Sequence, residues 1–251
     1  MSGAVYLVGA GPGAVDLLTL RAARLLAEAQ IVFHDALVPD AILALAPQAE
    51  KIAVGKRCGK HSTAQRFINK RLADAARKHR VVVRLKGGDP LLFGRAQEEI
   101  AYLRSHGIAV EVVPGVTAAL AAAAELGVSL TQRGLARSVA FVTPRVGAGE
   151  SASTWVQTVL AADTAAIYMG AGEAASIVQA LIAAGKSPST PAVLIENASL
   201  DHARIARGTL SELALLAARL EDGPALIVLG EVLRNAASAA QPATLRTRRA
   251  R

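Results

Sequence analysis

The residues Val81-Val82-Val83-Arg84-Leu85-Lys86-Gly87-Gly88-Asp89-Pro90 carry a strand and a tight turn in one short segment. The β-branched run reads as a buried strand. The glycines, Asp89 and Pro90 turn the chain at that strand's carboxyl end, where open α/β sheets hold their ligands. Gly87 and Gly88 permit close approach of backbone to ligand. Asp89 places a short carboxylate there, and Pro90 prevents the strand from continuing. A second loop, Gly9-Ala10-Gly11-Pro12-Gly13, follows the apolar run Val5–Val8. It departs from the dinucleotide fingerprint G-x-G-x-x-G, because its third glycine comes one residue early. Pro12 also removes a backbone donor where a pyrophosphate would need one. A nucleoside ligand without phosphate suits this loop better. Asp35 lies 24 residues after Gly11, close to where a ribose-binding acid would fall. On spacing alone, an NAD-dependent oxidoreductase stays open.

Further small-residue motifs sit at strand ends. Gly55-Lys56-Arg57-Cys58-Gly59-Lys60-His61-Ser62 is a short cationic loop. Pro114-Gly115-Val116-Thr117-Ala118 opens a helix whose N-terminus favours negative charge. Tyr168-Met169-Gly170 and Glu196-Asn197-Ala198 end strands in the second half. Together these loops fit one cleft lined by strand ends. His34, His61 and His202 show no metal-ligand spacing, and no metal is expected.

Alternating strand-like and helix-like segments must position these loops. In the first half they run Val5–Val8, Leu17–Ala29, Ile31–Phe33, Ala41–Leu45, Lys51–Val54, Ser62–Lys78, Val81–Leu85, Gln97–His106 and Val110–Val113. Gly107 reads as the glycine that ends the helix before it. This alternation predicts a mostly parallel sheet with helices on both faces. After an Ala-rich helix over Thr117–Leu126, a similar half is expected: strands at Ser138–Val142, Ala165–Met169, Ala192–Ile195 and Ala225–Leu229, and helices over Ala174–Ala184 and Leu210–Leu220. The reading is two α/β lobes, residues 1–116 and 117–235, then a basic, unstructured tail over 236–251.

Composition narrows the partner. Lys and Arg number 28 against 20 Asp and Glu, a net charge of +8, which calls for an anionic partner. Aromatic residues make up only 3% of the chain and do not interleave with the basic ones, so base stacking on nucleic acid is disfavoured. A polycarboxylate or polyphosphate small molecule fits better. No apolar stretch reaches the ~20 residues of a membrane span, and no basic segment precedes the first apolar strand as in a signal peptide. The single cysteine, Cys58, excludes an internal disulfide. A cytoplasmic protein is the expectation.

Gly9-Ala-Gly-Pro-Gly13, Asp35 in His-Asp-Ala-Leu-Val, Gly-Lys56-Arg57-x-Gly-x-His61-Ser62, Arg-Leu-Lys-Gly-Gly-Asp-Pro with Phe-Gly-Arg95, and Pro-Gly-Val-Thr-Ala118 resemble the uroporphyrinogen-III C-methyltransferases of the tetrapyrrole methyltransferase family. The resemblance runs from about Val5 to Val232. It implies two α/β lobes of the tetrapyrrole (class III) methyltransferase type, with the active site in the cleft between them, and S-adenosylmethionine as methyl donor. Pro12, Gly87, Gly88, Asp89, Leu92, Thr117, Ala118, Met169 and Ala198 would hold the donor. Asp35 and Lys56 would correspond to the family's proton-handling pair. Arg57, Lys60, Arg95, Arg133 and Arg137 would meet the carboxylates of the tetrapyrrole. The implied reaction is C-methylation at C2 and C7, giving precorrin-2 via precorrin-1, by a homodimer. The alternatives are a methyltransferase of a later precorrin or the oxidoreductase above. The chain departs from the family pattern at Ala36, where many members have arginine, at Gln132, at Gly134-Leu135 and at Thr143-Pro144-Arg145.

Overall fold

The computed structural model describes residues 3–55, 65–147 and 153–234. Lys56, Arg57, Lys60 and the tail over 236–251 lie outside these described residues. The chain forms two compact units. One comprises the chain up to Ala121 together with Asn197–Ala203; the other comprises Ala122–Glu196 and the chain from Arg204 onward.

The first unit holds β1 (Ala4–Gly9), α1 (Leu20–Glu28), β2 (Ile31–His34), α2 (Asp40–Leu43), β3 (Glu50–Ala53), α3 (Gln65–Ala76), β4 (Val81–Lys86), α4 (Ala96–Ser105) and β5 (Ala109–Val113). Its five strands are all parallel, in the order β3-β2-β4-β1-β5. Period-2 alternation sorts the side chains onto two faces. Val8, Val83 and Leu85 pack with Leu25 and Leu26 of α1 and Ile42 of α2. Val5, Leu7 and Val82 pack with Leu72 of α3 and Ile100 and Leu103 of α4. Leu7, Leu26, Leu72, Leu85 and Leu103 are fully buried, and each contributes about 2 kcal/mol by leaving water.

Local signals set the helix ends. The Thr19 hydroxyl accepts the Ala22 N–H at 3.1 Å and caps α1. Gly107 has φ +70° and sits just past α4, as its sequence position predicts. Ile108 N–H reaches back to Leu103 O and Gly107 N–H to Arg104 O, both at 3.0 Å, which closes a Schellman turn.

α5 (Ala118–Leu126) carries the chain into the second unit. There β6 (Val139–Val142), α6 (Trp155–Ala161), β7 (Thr164–Tyr168), α7 (Ala174–Ala183), β8 (Pro191–Glu196), β9 (Arg204–Thr209), α8 (Leu213–Ala217) and β10 (Ala225–Gly230) follow. The sheet order is β6-β7-β10-β8-β9. Only β6 and β7 pair in parallel; β10 runs antiparallel to both its neighbours, and β9 is antiparallel to β8. The second half is therefore a mixed sheet and not a copy of the first. Val159 of α6, Ile177 and Leu181 of α7, and Leu213 and Leu216 of α8 share one core with Ile167, Leu194, Ile227 and Leu229 of that sheet.

Candidate active site

In the first unit the chain leaves β1 for the β3 edge through α1, and leaves β4 for the β5 edge through α4. These two helices pack on opposite faces. The loops after the adjacent strands β1 and β4 therefore part to opposite sides, which makes the topological switch point of the sheet. The two glycine loops singled out by sequence occupy it. Gly11 N–H donates to Gly88 O at 3.2 Å and Gly88 N–H to Gly11 O at 2.7 Å. A Cβ on Gly115, after β5, would lie 2.3 Å from Gly88 O and 2.9 Å from Gly9 Cα, so three loops meet backbone to backbone. Only glycine allows that approach.

Asp89 ties the junction. Its Oδ2 accepts the Gly115 N–H at 3.0 Å and its Oδ1 the Leu91 N–H at 2.8 Å. The carboxylate thus holds the β4 loop against the β5 loop. On the far side, the Ser199 hydroxyl accepts the Ala14 N–H at 3.1 Å, and a Cβ on Gly13 would touch the Leu200 side chain at 2.8 Å. This brings the segment containing buried Ala198 to the first glycine loop. Pro12, Gly87, Gly88, Asp89, Leu92, Thr117, Ala118 and Ala198 all belong to these loops of one unit. Met169, Arg133 and Arg137 belong to the second unit and are exposed.

A nucleoside donor fits the loops in one respect that the backbone decides. Gly88 has φ +66°, and a Cβ there would find nothing nearer than Thr117 Cα at 4.0 Å, so its α-carbon faces open space between the loops. Backbone strain gathers in the marked loops of each unit. Phe93, Arg95, Met169, Asn197 and Ser199 are the non-glycine residues with left-handed backbone among those described, with φ between 53° and 74°. All lie in, or directly beside, the loops that sequence marked. Each costs about 1 kcal/mol or more, and such outliers concentrate at binding sites.

Asp35 follows β2 at the same end of the sheet. Its backbone N–H donates to Leu85 O at 3.2 Å, and a Cβ on Gly55 would crowd its Cα at 3.0 Å. Arg84 Nη2 donates to Asp35 Oδ1 at 2.5 Å. Arg84 and Lys86 point to the α4 face of β4, where Glu99 accepts from Arg84 Nε at 3.1 Å and from Lys86 Nζ at 3.2 Å. Burial works to discharge Arg84, but Asp35 and Glu99 outweigh it and raise its pKa. Burial, then the Arg84 charge, pulls Lys86 below the ordinary lysine range, against the pull of Glu99 and Asp35. Sequence reading missed this buried network. Its trace is two cations alternating in an apolar strand, and one glutamate in the inward stripe Ala96, Glu99, Ile100, Leu103 of α4.

Of the expected anion contacts, Arg95 already forms a two-point pair with Glu98, at 2.7 and 2.8 Å. Arg137 is held by its backbone, whose N–H donates to Asp163 Oδ2 at 2.8 Å. Arg133 lies in the turn closed by Gln132 and Ala136. Among the described residues, no cluster of His, Cys, Asp and Glu is placed to hold a metal. Nor is any of their helices long and apolar enough to cross a membrane.

The comparisons with known proteins agree with this layout. The tetrapyrrole (corrin/porphyrin) methylase family model matches residues 4–214. A uroporphyrinogen-III C-methyltransferase of Pseudomonas aeruginosa is 46% identical over 246 residues, covering 98% of this chain and 99% of that protein. A siroheme synthase of Chromobacterium violaceum is 47% identical over 92% of this chain. The chain spans about half the length of the siroheme synthases it matches (50% of the Chromobacterium protein). Among solved structures, the uroporphyrin-III C-methyltransferase of Thermus thermophilus complexed with S-adenyl homocysteine superposes with a TM-score of 0.82 at 44% identity, over 92% of this chain and 99% of that one. A cobalt precorrin-4 methyltransferase superposes at 0.79 with 29% identity, over 91% and 95%. The parallel sheet, the glycine loops at its switch point and these matches together place the chain in the tetrapyrrole (corrin/porphyrin) methylase family.

Proposed function

We propose that this chain methylates uroporphyrinogen III with S-adenosylmethionine, at C2 and then at C7, giving precorrin-1 and then precorrin-2. The observation that carries the reading is its likeness, over nearly the full length of both chains, to a uroporphyrinogen-III C-methyltransferase. The S-adenyl homocysteine bound to the Thermus protein supports the choice of donor. When bound, S-adenosylmethionine supplies an electrophilic methyl group on a sulfonium. Pro12, Gly87, Gly88, Asp89, Leu92, Thr117, Ala118 and Ala198 are assigned to hold it, with Met169 from the second unit.

The pyrrole carbon of the substrate is already electron-rich, so positioning supplies most of the rate gain. Arg57, Lys60, Arg95, Arg133 and Arg137 are assigned to the eight substrate carboxylates, which gives the +8 net charge a purpose. Arg95 would share its guanidinium between Glu98 and substrate. Asp35 is assigned as the base. Its Oδ1 is committed to Arg84, while Oδ2 has no hydrogen-bond partner among the described residues. The side chain is 28% exposed, so that oxygen can take a proton from a ligand. Lys56, next after Gly55, is assigned as the acid. We assign the enzyme to the cytoplasm and to a homodimer; sedimentation at micromolar concentration tests the dimer.

The test of the reaction is a donor with a ¹³C-labelled methyl group. Two labelled carbons, at C2 and C7 of the product, are expected. A single label would stop the reaction at precorrin-1, labels elsewhere on the ring would overturn the C2 and C7 assignment, and no label at all would move the substrate to a later precorrin.

A further inference from the structure

Four charged side chains form one continuous line from the interior of the first unit to Asp35. Glu99 is fully buried, and the side chains of Arg84 and Lys86 are 4% and 3% exposed. Glu99 Oε1 accepts from Arg84 Nε at 3.1 Å and from Gln65 Nε2 at 3.1 Å; Lys86 Nζ donates to both Glu99 oxygens, at 3.2 and 3.3 Å. Gln65 is itself anchored to the Asn69 Oδ1 at 3.0 Å. The Arg84 guanidinium is left with no freedom: Nε goes to Glu99, Nη1 to Leu85 O at 3.2 Å, and Nη2 to Asp35 Oδ1 at 2.5 Å. Asp35 is the one partly exposed member, and it stands at the end of the line.

Stability alone gives no reason for this arrangement. Taking charges out of water is expensive, and well-packed apolar residues do the same structural work as a buried ion cluster or better. A carboxylate that must face a ligand from a fixed angle is another matter. Its own side chain rotates freely unless a rigid partner holds one oxygen, and that partner must be fixed in turn. Arg84 is such a partner, because its planar fork engages two carboxylates and a carbonyl at once.

We propose that Glu99, acting through Arg84, is a positioning residue for proton transfer: it holds Asp35 by Oδ1 so that Oδ2 is presented to the substrate. This rests on the reading of Asp35 as the base. Lys86 and Gln65 fix Glu99 from behind, and Lys86 also balances the buried charge.

A double-mutant cycle tests it on the full chain, using uroporphyrinogen III and S-adenosylmethionine. Glu99→Gln keeps the shape and removes the charge. It is expected to lower kcat about tenfold, the scale seen when an outer-shell partner is removed, with KM for both substrates and Kd for S-adenosylhomocysteine unchanged. Placed on Asp35→Asn, the same change is expected to cost nothing further. Arg84→Lys, which retains the charge but cannot reach both carboxylates, is expected to behave alike and serves if Glu99→Gln does not fold. Normal kcat in Glu99→Gln or Arg84→Lys, or losses that simply multiply on the Asp35→Asn background, would overturn the proposal while leaving Asp35 as base. Normal turnover by Asp35→Asn would instead overturn the base assignment, and the positioning role with it.

Discussion

Replacing Asp89 by alanine removes the two side-chain ties that help hold the β4 loop in place, and leaves the backbone pair between Gly11 and Gly88. One is the bond from Gly115 N–H to Oδ2 at 3.0 Å, which joins the loop to the β5 loop. The other is the bond from Leu91 N–H to Oδ1 at 2.8 Å, which sets the turn across Pro90. Hydrogen bonds to an ionised acceptor contribute about 1.5–3 kcal/mol each. Asp89 is half-buried, so the lower end applies and the pair sums to about 3 kcal/mol. The sheet core beneath is untouched, so the loss falls on loop order. If about 2 kcal/mol of it must be recovered each time a ligand binds, Kd for S-adenosylhomocysteine rises about thirtyfold, since 1.4 kcal/mol is tenfold. Asp89→Asn keeps one acceptor oxygen and should fall between alanine and wild type. Isothermal titration with S-adenosylhomocysteine reads both variants, and far-ultraviolet circular dichroism confirms that they fold. Affinity equal to wild type in Asp89→Ala would refute the claim that this carboxylate builds the donor site.

Two further perturbations follow from the same physics. Gly115→Ala places a methyl group 2.3 Å from a backbone oxygen that no rotamer can move; it should abolish S-adenosylhomocysteine binding and lower stability by about 2–3 kcal/mol, and normal binding would show that the three loops need not meet. Asp163 accepts the Arg137 and Ser138 N–H groups and the Ser138 hydroxyl, and these hold its carboxyl below the ordinary range, the Arg137 backbone bond most of all. A lowered folded-state pKa stabilises above the unfolded value and is lost as pH falls through the folded one, so the melting-temperature gap between wild type and Asp163→Asn should be full near neutrality and close in acid. A gap independent of pH would contradict that assignment.

The strand–glycine–Asp-Pro grammar made the first unit legible, because period-2 apolar runs and glycines at strand ends are local signals. Gly9-Ala-Gly-Pro-Gly13 and Gly87-Gly88-Asp89 both sit where that grammar puts them. The network behind Asp35 was not legible. Arg84 and Glu99 are 15 residues apart, and whether they meet depends on the phase of α4 against β4, which no local pattern states. Strand direction in the second unit was equally hidden. β9 carries Arg204, Arg207 and Gly208 along a half-buried edge, so it lacks the apolar run that marks a strand. The expected helix over Leu210–Leu220 is shorter as well. A capping box between Thr209 and Glu212 starts a 3₁₀ turn over Leu210–Glu212, and the α-helix proper spans only Leu213–Ala217.

The most direct test of the central claim is a mass spectrum of the tetrapyrrole after the purified protein is incubated, without oxygen, with uroporphyrinogen III and S-adenosylmethionine. A gain of two methyl groups, dependent on both the donor and Asp35, is the predicted result. An unmodified tetrapyrrole, from protein that still binds S-adenosylhomocysteine, would keep the family and the donor but contradict uroporphyrinogen III as the substrate.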